Sequence, residues 1–557
     1  MAFKTVKKIT NPKKKKGDQT LGKLYPTNGK TKVFVRREWR GVKDTLYDYS
    51  RWLYIMSILA RFIAKPRNIK AMFRYRWMAN YLAVPYMMDK FTLGLRDEPL
   101  RITHTAMNFV IYDVAKTMDN IFKGDRRTGN NKKFSDTCVL TDENAMTAFM
   151  MGFKDTTAIL REVPTMFVAN LLTQNSTTHY LDVAQEFGLP GDVCPMPEAE
   201  AGISIDDDFA VLGCCAVQVN TTCDGSLMGN GVIAHRLERE YGIPTFQLTA
   251  PLRHKEDDVQ EYAANDMKEA VKFIEEHAHE KWDWKRYFES AARVNDATKH
   301  RAFWLDNNAT YYPQFVGSVF SLYNDTNYMG NCGRSALFPP KDKKISKLVE
   351  QGYKRKTMIC PEYRHRCIVW GVQPQYNIHM LYWMMHCWGV VPLTDMLSMV
   401  NTDMIAETDT PENREKAWYD MAWLNENMIM RNRTHGGYKV LGLAAGSNIE
   451  KLEAAAREFK VAAVGVFNEE KGRELKRRLA DTETEVLIQD GARPFVTEEI
   501  IGNVSNALKE FSAVTCGVKV KDTGAGGVAA WLSNTEGDLT SNTGVTSLHC
   551  AVYNNGW

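Results

Sequence analysis

The sequence has no long uninterrupted apolar run. Its most apolar stretch, His379 to Leu393, is short and broken by His386, so a buried helix leading into a strand is expected there rather than a membrane span. The apolar core of a secretory signal is also missing, because the opening residues are polar and lysine-rich. A cytoplasmic protein is therefore expected. Paired-cysteine spacings are absent too: the eleven cysteines form neither a CxxC zinc knuckle nor a compact ferredoxin run. In a reducing compartment such thiols serve metal binding or plain burial rather than a disulfide framework. A large charge of one sign is lacking, with 71 Lys and Arg against 67 Asp and Glu. Lys13 to Lys16 form a basic run beside Lys7 and Lys8, but no aromatic-rich binding motif accompanies it. Nucleic acid is not expected as a partner, and residues 1–35 read as a solvated basic tail.

What is present suits a folded protein with more than one domain: 557 residues, 44% hydrophobic and 25% charged. Trp, Tyr, Met and Phe recur at helical spacings from about 45 to 125, as in Trp52, Ile55, Ile58 and Leu59. A helical N-terminal region over 36–160 follows. Phe209 to Cys215, a helix over 228–241 and Ile243 to Leu248 read as strand, helix and strand, a βαβ unit of a parallel sheet. Asp266 and Glu269 resemble a capping box before an apolar helical stripe. A second unit runs from the strand at Cys367 through a helix at Tyr376–Trp388 to the strand at Gly389–Leu393. The fold class expected is α/β: two Rossmann-like parallel-sheet lobes around a cleft, 161–330 with a helical segment and 331–437, truncated. After Gly436-Gly437 a partial α/β appendage is expected over 438–523, with a strand at Val440–Ala444, a helix at Ile449–Phe459 and a strand at Ala462–Phe467. Residues 524–557 are rich in Gly, Asn, Ser and Thr, lack periodicity and read as a disordered tail.

Chemistry centres on cysteine. Asp192-Val-Cys194, Gly213-Cys214-Cys215 and Cys223 place thiols near strand ends, where scattered thiolates can converge on one soft-metal site; buried cysteines acting as small apolar residues are the plainer reading. Cys360, Cys367 and Cys387 read as core residues. His235, His254 and His365 titrate near neutrality and are candidates for proton transfer in that sense alone. His277 and His279, two apart on a helix, face different directions and do not form a ligand pair.

Residues 160–435 resemble the 2-hydroxyacyl-CoA dehydratase and benzoyl-CoA reductase superfamily, in the manner of the 2-hydroxyglutaryl-CoA dehydratase D-component. The segments that carry this are Ala184 to Cys194, the strand end at 209–223, Arg239-Glu-Tyr-Gly-Ile-Pro-Thr with Ala250-Pro251, and Arg364 to Gly371. The resemblance implies a [4Fe–4S] cluster held by three cysteines. Cys194 matches the first ligand and Cys223 the second, with Cys214 and Cys215 as rivals for that place. The family's third cysteine lies after the region matching 420–437, whereas here no cysteine occurs between Cys387 and Cys516. Implied partners are a homologous dehydratase subunit, an ATP-dependent iron–sulfur activator protein and an acyl-CoA substrate. The implied reaction is one-electron activation of an (R)-2-hydroxyacyl-CoA to a ketyl radical, loss of hydroxide and a proton to give a 2-enoyl-CoA, and return of the electron. An aryl-CoA reductase and a cluster-free structural subunit share the scaffold and stay open.

Two C-terminal pieces have other likenesses. Tyr438 to Leu479, with Leu443-Ala-Ala-Gly-Ser-Asn448, resembles the nucleotide-binding domain of 1-deoxy-D-xylulose-5-phosphate reductoisomerase, and Gly446 and Asn448 match its NADPH-holding turn. Residues 486–523, with Asp490-Gly-Ala-Arg493, resemble methylerythritol-phosphate cytidylyltransferase, and Asp490 and Arg493 match its substrate and metal turn. Each piece is too short for a complete active site, so isoprenoid chemistry is the least favoured reading.

Overall fold

The computed structural model describes residues 39–488 apart from short breaks, the longest at 162–173, 370–383, 396–404 and 428–438, together with 528–533 and 549–553. The basic tail and most of the helix expected at 376–388 lie outside the described residues.

Four helices open the chain: α1 (Val42–Ile63), α2 (Pro66–Arg74), α3 (Val84–Phe91) and α4 (Asp97–Gly124). Helix α4 is buried from Glu98 to Ile111 except at the half-buried Arg101 and runs through the largest apolar cluster, with Glu98, His104 and Asn108 buried among its apolar side chains. Polar anchors lock its neighbours to it. The buried Arg40 guanidinium donates to Asp48 Oδ2 at 2.7 Å and to the carbonyls of Thr92 and Leu95, and Asp48 Oδ1 lies 2.7 Å from His104 Nε2. The Tyr75 hydroxyl donates to Asp125, and the Trp77 indole to the Asp208 carbonyl, so the helical region grips the sheet that follows.

That sheet holds β1 (Cys138–Thr141), β2 (Thr157–Leu160), β3 (Cys215–Asn220) and β4 (Thr245–Thr249), all parallel, in the order β2-β1-β3-β4. Helices α5 (Gln174–Phe187) and α6 (Pro195–Ile205) lie between β2 and β3, and α7 (Asp224–Tyr241) links β3 to β4. The expected βαβ unit is therefore present. Its first strand starts at Cys215 rather than Phe209, because Gly213 has φ +107° and gives its N–H to Ser135 Oγ, outside the ladder. Helix α7 ends at Gly242 in the left-handed conformation, a regular glycine stop.

A helical stretch follows: α8 (Asp257–Ala278), α9 (Trp284–Asn308), α10 (Gly317–Tyr328) and α11 (Phe338–Arg355). Helix α8 begins at Asp257, so Asp266 is not a capping residue; it sits mid-helix and accepts the Thr249 N–H at 2.7 Å. Strands β5 (His365–Val369) and β6 (Val390–Asp395) form a separate parallel pair. Helix α9 bridges the two cores, with Tyr287 to Ala297 against the first sheet and Trp304 and Leu305 in the cluster that contains Val391 and Leu393. Helix α12 (Pro411–Asn427) returns to α8, and its Ala417, Met421 and Leu424 join the first sheet's core.

The appendage contains β7 (Lys439–Ala445), α13 (Ile449–Phe459), β8 (Ala463–Val466), α14 (Glu469–Arg478) and β9 (Glu485–Ile488), around its own apolar cluster. Beyond Thr523, where a disordered tail was expected, β10 (Val528–Ser533) pairs antiparallel with β7, and β11 (His549–Tyr553) with β10. The short apolar run Val528-Ala-Ala-Trp-Leu covers what would otherwise be an open strand edge.

Replacing Arg40 by Ala strands the buried Asp48 carboxylate. The expected cost is about 3 kcal/mol, read as a lower denaturant midpoint for the first unfolding transition. Arg40→Lys, which keeps the charge, should lose less, and a midpoint unmoved by Arg40→Ala would contradict the anchoring role.

Candidate functional site at the carboxyl ends of the first sheet

The strand order reverses between β1 and β3: β1 is followed by β2 on one side, and β3 by β4 on the other. In open parallel sheets ligands collect outside the carboxyl ends of strands at such a point. Here those ends carry Asp142 after β1, Arg161 after β2 and Cys223 after β3.

Two helices present their amino ends beside them. Cys194 is the N-cap of α6, with Pro195 preset for the first helical turn, and Cys223 is the N-cap of α7; neither side chain caps its own helix. The helices touch through glycine. A Cβ on Gly225 would lie 3.2 Å from both N and Cβ of Cys194, and one on Gly229 would lie 2.9 Å from the Pro197 carbonyl oxygen. Gly225, two residues after Cys223, thus packs directly on Cys194. Cys194 is exposed and Cys223 half-buried. The contact lies where two helix ends meet, and the dipoles of such ends favour negative charge.

The rival pair goes elsewhere. Cys214 and Cys215 stand at the opposite, amino end of β3, with their sulfurs 3.9 Å apart and Cys214 Sγ 3.1 Å from the Cys138 carbonyl oxygen. The six-residue strand puts about 17 Å between the two ends. Contact with Cys214, together with burial, holds the Cys215 thiol well above its ordinary range, and burial pushes Cys138 up to about 12. The Cys215 and Cys138 thiols therefore favour the protonated form, as core residues do, whereas the contact with Cys215 lowers Cys214. Cys360 is likewise buried in the large core, and burial raises Cys367 to about 11; Cys387 lies outside the described residues.

The sequence reading missed a buried polar cluster behind the cysteines. Asp142 Oδ2 accepts the Val219 N–H at 2.7 Å and the Asn230 side-chain amide at 2.9 Å. Gln247 donates to Gln218 at 2.8 Å on the same side of the sheet. Arg161 pairs with Glu200 of α6, both out of solvent. Arg161 and Glu200 also line a cavity of about 30 Å³ with Ser204, Asp207, Phe209 and Tyr241, room for about one water molecule. These contacts tie α6 to β2, and α7 to β1 and β3. The sole trace in the sequence is the pair of glycines four apart, Gly225 and Gly229, a small-residue face that lets two helices close in.

The proton-transfer candidates do not gather here. His235 and His365 are exposed, on α7 and β5, and His254 lies outside the described residues. His277 spends Nδ1 on the Phe273 carbonyl. In the appendage, Asn448 caps α13 by accepting the Lys451 N–H at 3.1 Å, which engages the side chain that matched the nucleotide turn. Gly446, Asp490 and Arg493 lie outside the described residues.

Burial raises the Asp142 carboxyl to about 7, with Glu200 adding to the rise while the Val219 N–H and Arg161 oppose it. A carboxyl raised on folding binds a proton that the unfolded chain has released, so its contribution to stability is lost as pH rises from about 4 to about 7. The stability of the native protein relative to Asp142→Asn should therefore decline across that interval and level off above it. Urea titrations at pH 4.5, 6 and 8 measure this, and a constant difference would exclude a raised Asp142.

Comparison with known proteins bears on the same segments. The family profile described as 1-deoxy-D-xylulose 5-phosphate reductoisomerase matches residues 427–528, which takes in the stretch at 486–523 expected to resemble a cytidylyltransferase. The reductoisomerases of two Desulfitobacterium hafniense strains, DSM 10664 / DCB-2 and Y51, are each 41% identical over 71 residues, 13% of this chain and 19% of theirs. The chain thus spans about a fifth of the length of those curated relatives. The profile described as 2-hydroxyglutaryl-CoA dehydratase, D-component, matches residues 162–472. That span takes in both cysteine-bearing helix ends, the helical bridge and the second parallel pair, more than half of the chain, and the protein belongs to the 2-hydroxyglutaryl-CoA dehydratase D-component family.

Proposed function

We propose that the chain is a component of an (R)-2-hydroxyacyl-CoA dehydratase in which Cys194 and Cys223 supply thiolates to a [4Fe–4S] cluster. The observation that carries this reading is the contact of Gly225 with Cys194, which holds two cysteine-headed helix ends together at the switch point of the sheet. The pair would supply two of the thiolates of such a cluster. A third is not filled: among the described residues no group of three or more His, Cys, Asp and Glu converges, and no cysteine occurs between Cys387 and Cys516. When bound, such a cluster supplies one-electron chemistry. The chain's own part is positional. Arg161 with Glu200, and Asp142 with Asn230, hold the two helices at fixed places on the sheet, and the carboxyl edge receives the acyl-CoA thioester. A homologous dehydratase subunit and an ATP-dependent iron–sulfur activator protein complete the reading as partners.

The missing third cysteine favours a second reading, a cluster-free subunit that keeps the fold and supports a homologous, cluster-bearing partner. One experiment separates them. Anaerobically purified protein should contain about four iron and four sulfide per chain under the first reading, with a large loss in Cys194→Ala and in Cys223→Ala. Gly225→Val, which wedges the helices apart, should lose iron with both cysteines intact. Iron-free protein that still binds a homologous subunit would select the second reading. Full iron in the double cysteine variant would remove these residues from the site.

A further inference from the structure

Helix α1 is amphipathic in the wrong sense over its first half. Its buried side carries two acids: Asp44, which accepts from Arg101 and from the Asp97 N–H, and Asp48, which is held by Arg40 and His104. Its solvent side is apolar. Val42, Leu46, Tyr49 and Leu53, preceded by Trp39, are each between 45% and 68% exposed. The steps between them are three, four, three and four, which places all five along one seam of the kind two helices bury between them. Of the thirteen large apolar side chains exposed among the described residues, eight lie within 39–73. The exposure is thus concentrated at one place rather than scattered singly as on ordinary surfaces.

We infer that this seam is an interface with a second copy of the chain, α1 against α1 about a two-fold axis. Two features support that occupant. The five side chains offer about 600 Å² per copy, close to the roughly 800 Å² per partner of a stable interface. The positions flanking the seam are Lys43, Thr45, Ser50 and Trp52; one charge among four neither repels an identical helix nor singles out a different one. The inference is independent of the cysteine site.

Sedimentation velocity and light scattering on the full chain test it. The native protein is expected at twice its 63.5 kDa chain mass at micromolar concentration. The double variant Leu46→Glu, Leu53→Glu is expected at the single-chain mass, with dissociation at least a hundredfold easier. Its circular dichroism should match the native protein, because both positions are already exposed in one chain, and its thermal midpoint should lose the concentration dependence that association gives. Leu46→Ile with Leu53→Ile should remain dimeric. A native protein of single-chain mass throughout would overturn the proposal, as would a charged variant that dimerises as well as the native chain. Iron content unchanged in the charged variant would set any such failure apart from a failure of the cysteine assignment.

Discussion

The architecture around the candidate site depends on the approach of α6 and α7 to within backbone contact. Gly225 and Gly229 occupy the crossing, and any larger side chain there would meet Cys194 or the Pro197 carbonyl. Native interiors are close-packed, and neither helix has slack to yield. With the helices at this separation both amino ends reach the carboxyl edge of the sheet. A cysteine occupies the N-cap position of each of them. Two positive helix ends side by side form a natural seat for anionic sulfur or a charged ligand.

Polar groups too costly to leave unpaired hold that arrangement from below. Asp142, Arg161, Glu200 and Asn230 are all buried, and each is engaged by a neighbour on a different element. Such groups contribute little net stability but penalise any shift that would separate them. The same logic recurs at Arg40, Asp48 and His104, which set the depth of α1 against α4. In both places fixed geometry, rather than extra stability, is what the buried charges supply.

The appendage is a separate construction. Its apolar cluster shares no residue with the cores of the first two sheets. Its likeness to reductoisomerases covers a fifth of those proteins, and the side chain that matched the nucleotide turn, Asn448, caps a helix. The dehydratase match runs into this segment as far as residue 472, so the two likenesses overlap on β7, α13 and β8.

Local pattern was enough for much of the fold. The helix at Ile449–Phe459, the βαβ unit around α7 and the glycine stop at Gly242 depend on contacts within a turn or two, which periodicity and punctuation report directly. The ladder start at Cys215 was misplaced, since a positive φ at Gly213 has no periodic signature. The pairing strand at Val528–Ser533 was missed because its partner lies more than eighty residues earlier. The residues around the candidate site divide in the same way. That Cys223 precedes a helix is written in the sequence, whereas the helix that begins after Cys194 was not expected. Cys214 and Cys215 stand at the far end of the same strand, and Asp142 and Arg161 arrive beneath the cysteines; tertiary structure alone decided both, because strand direction and strand order bring distant residues to one edge of a sheet without leaving a local trace.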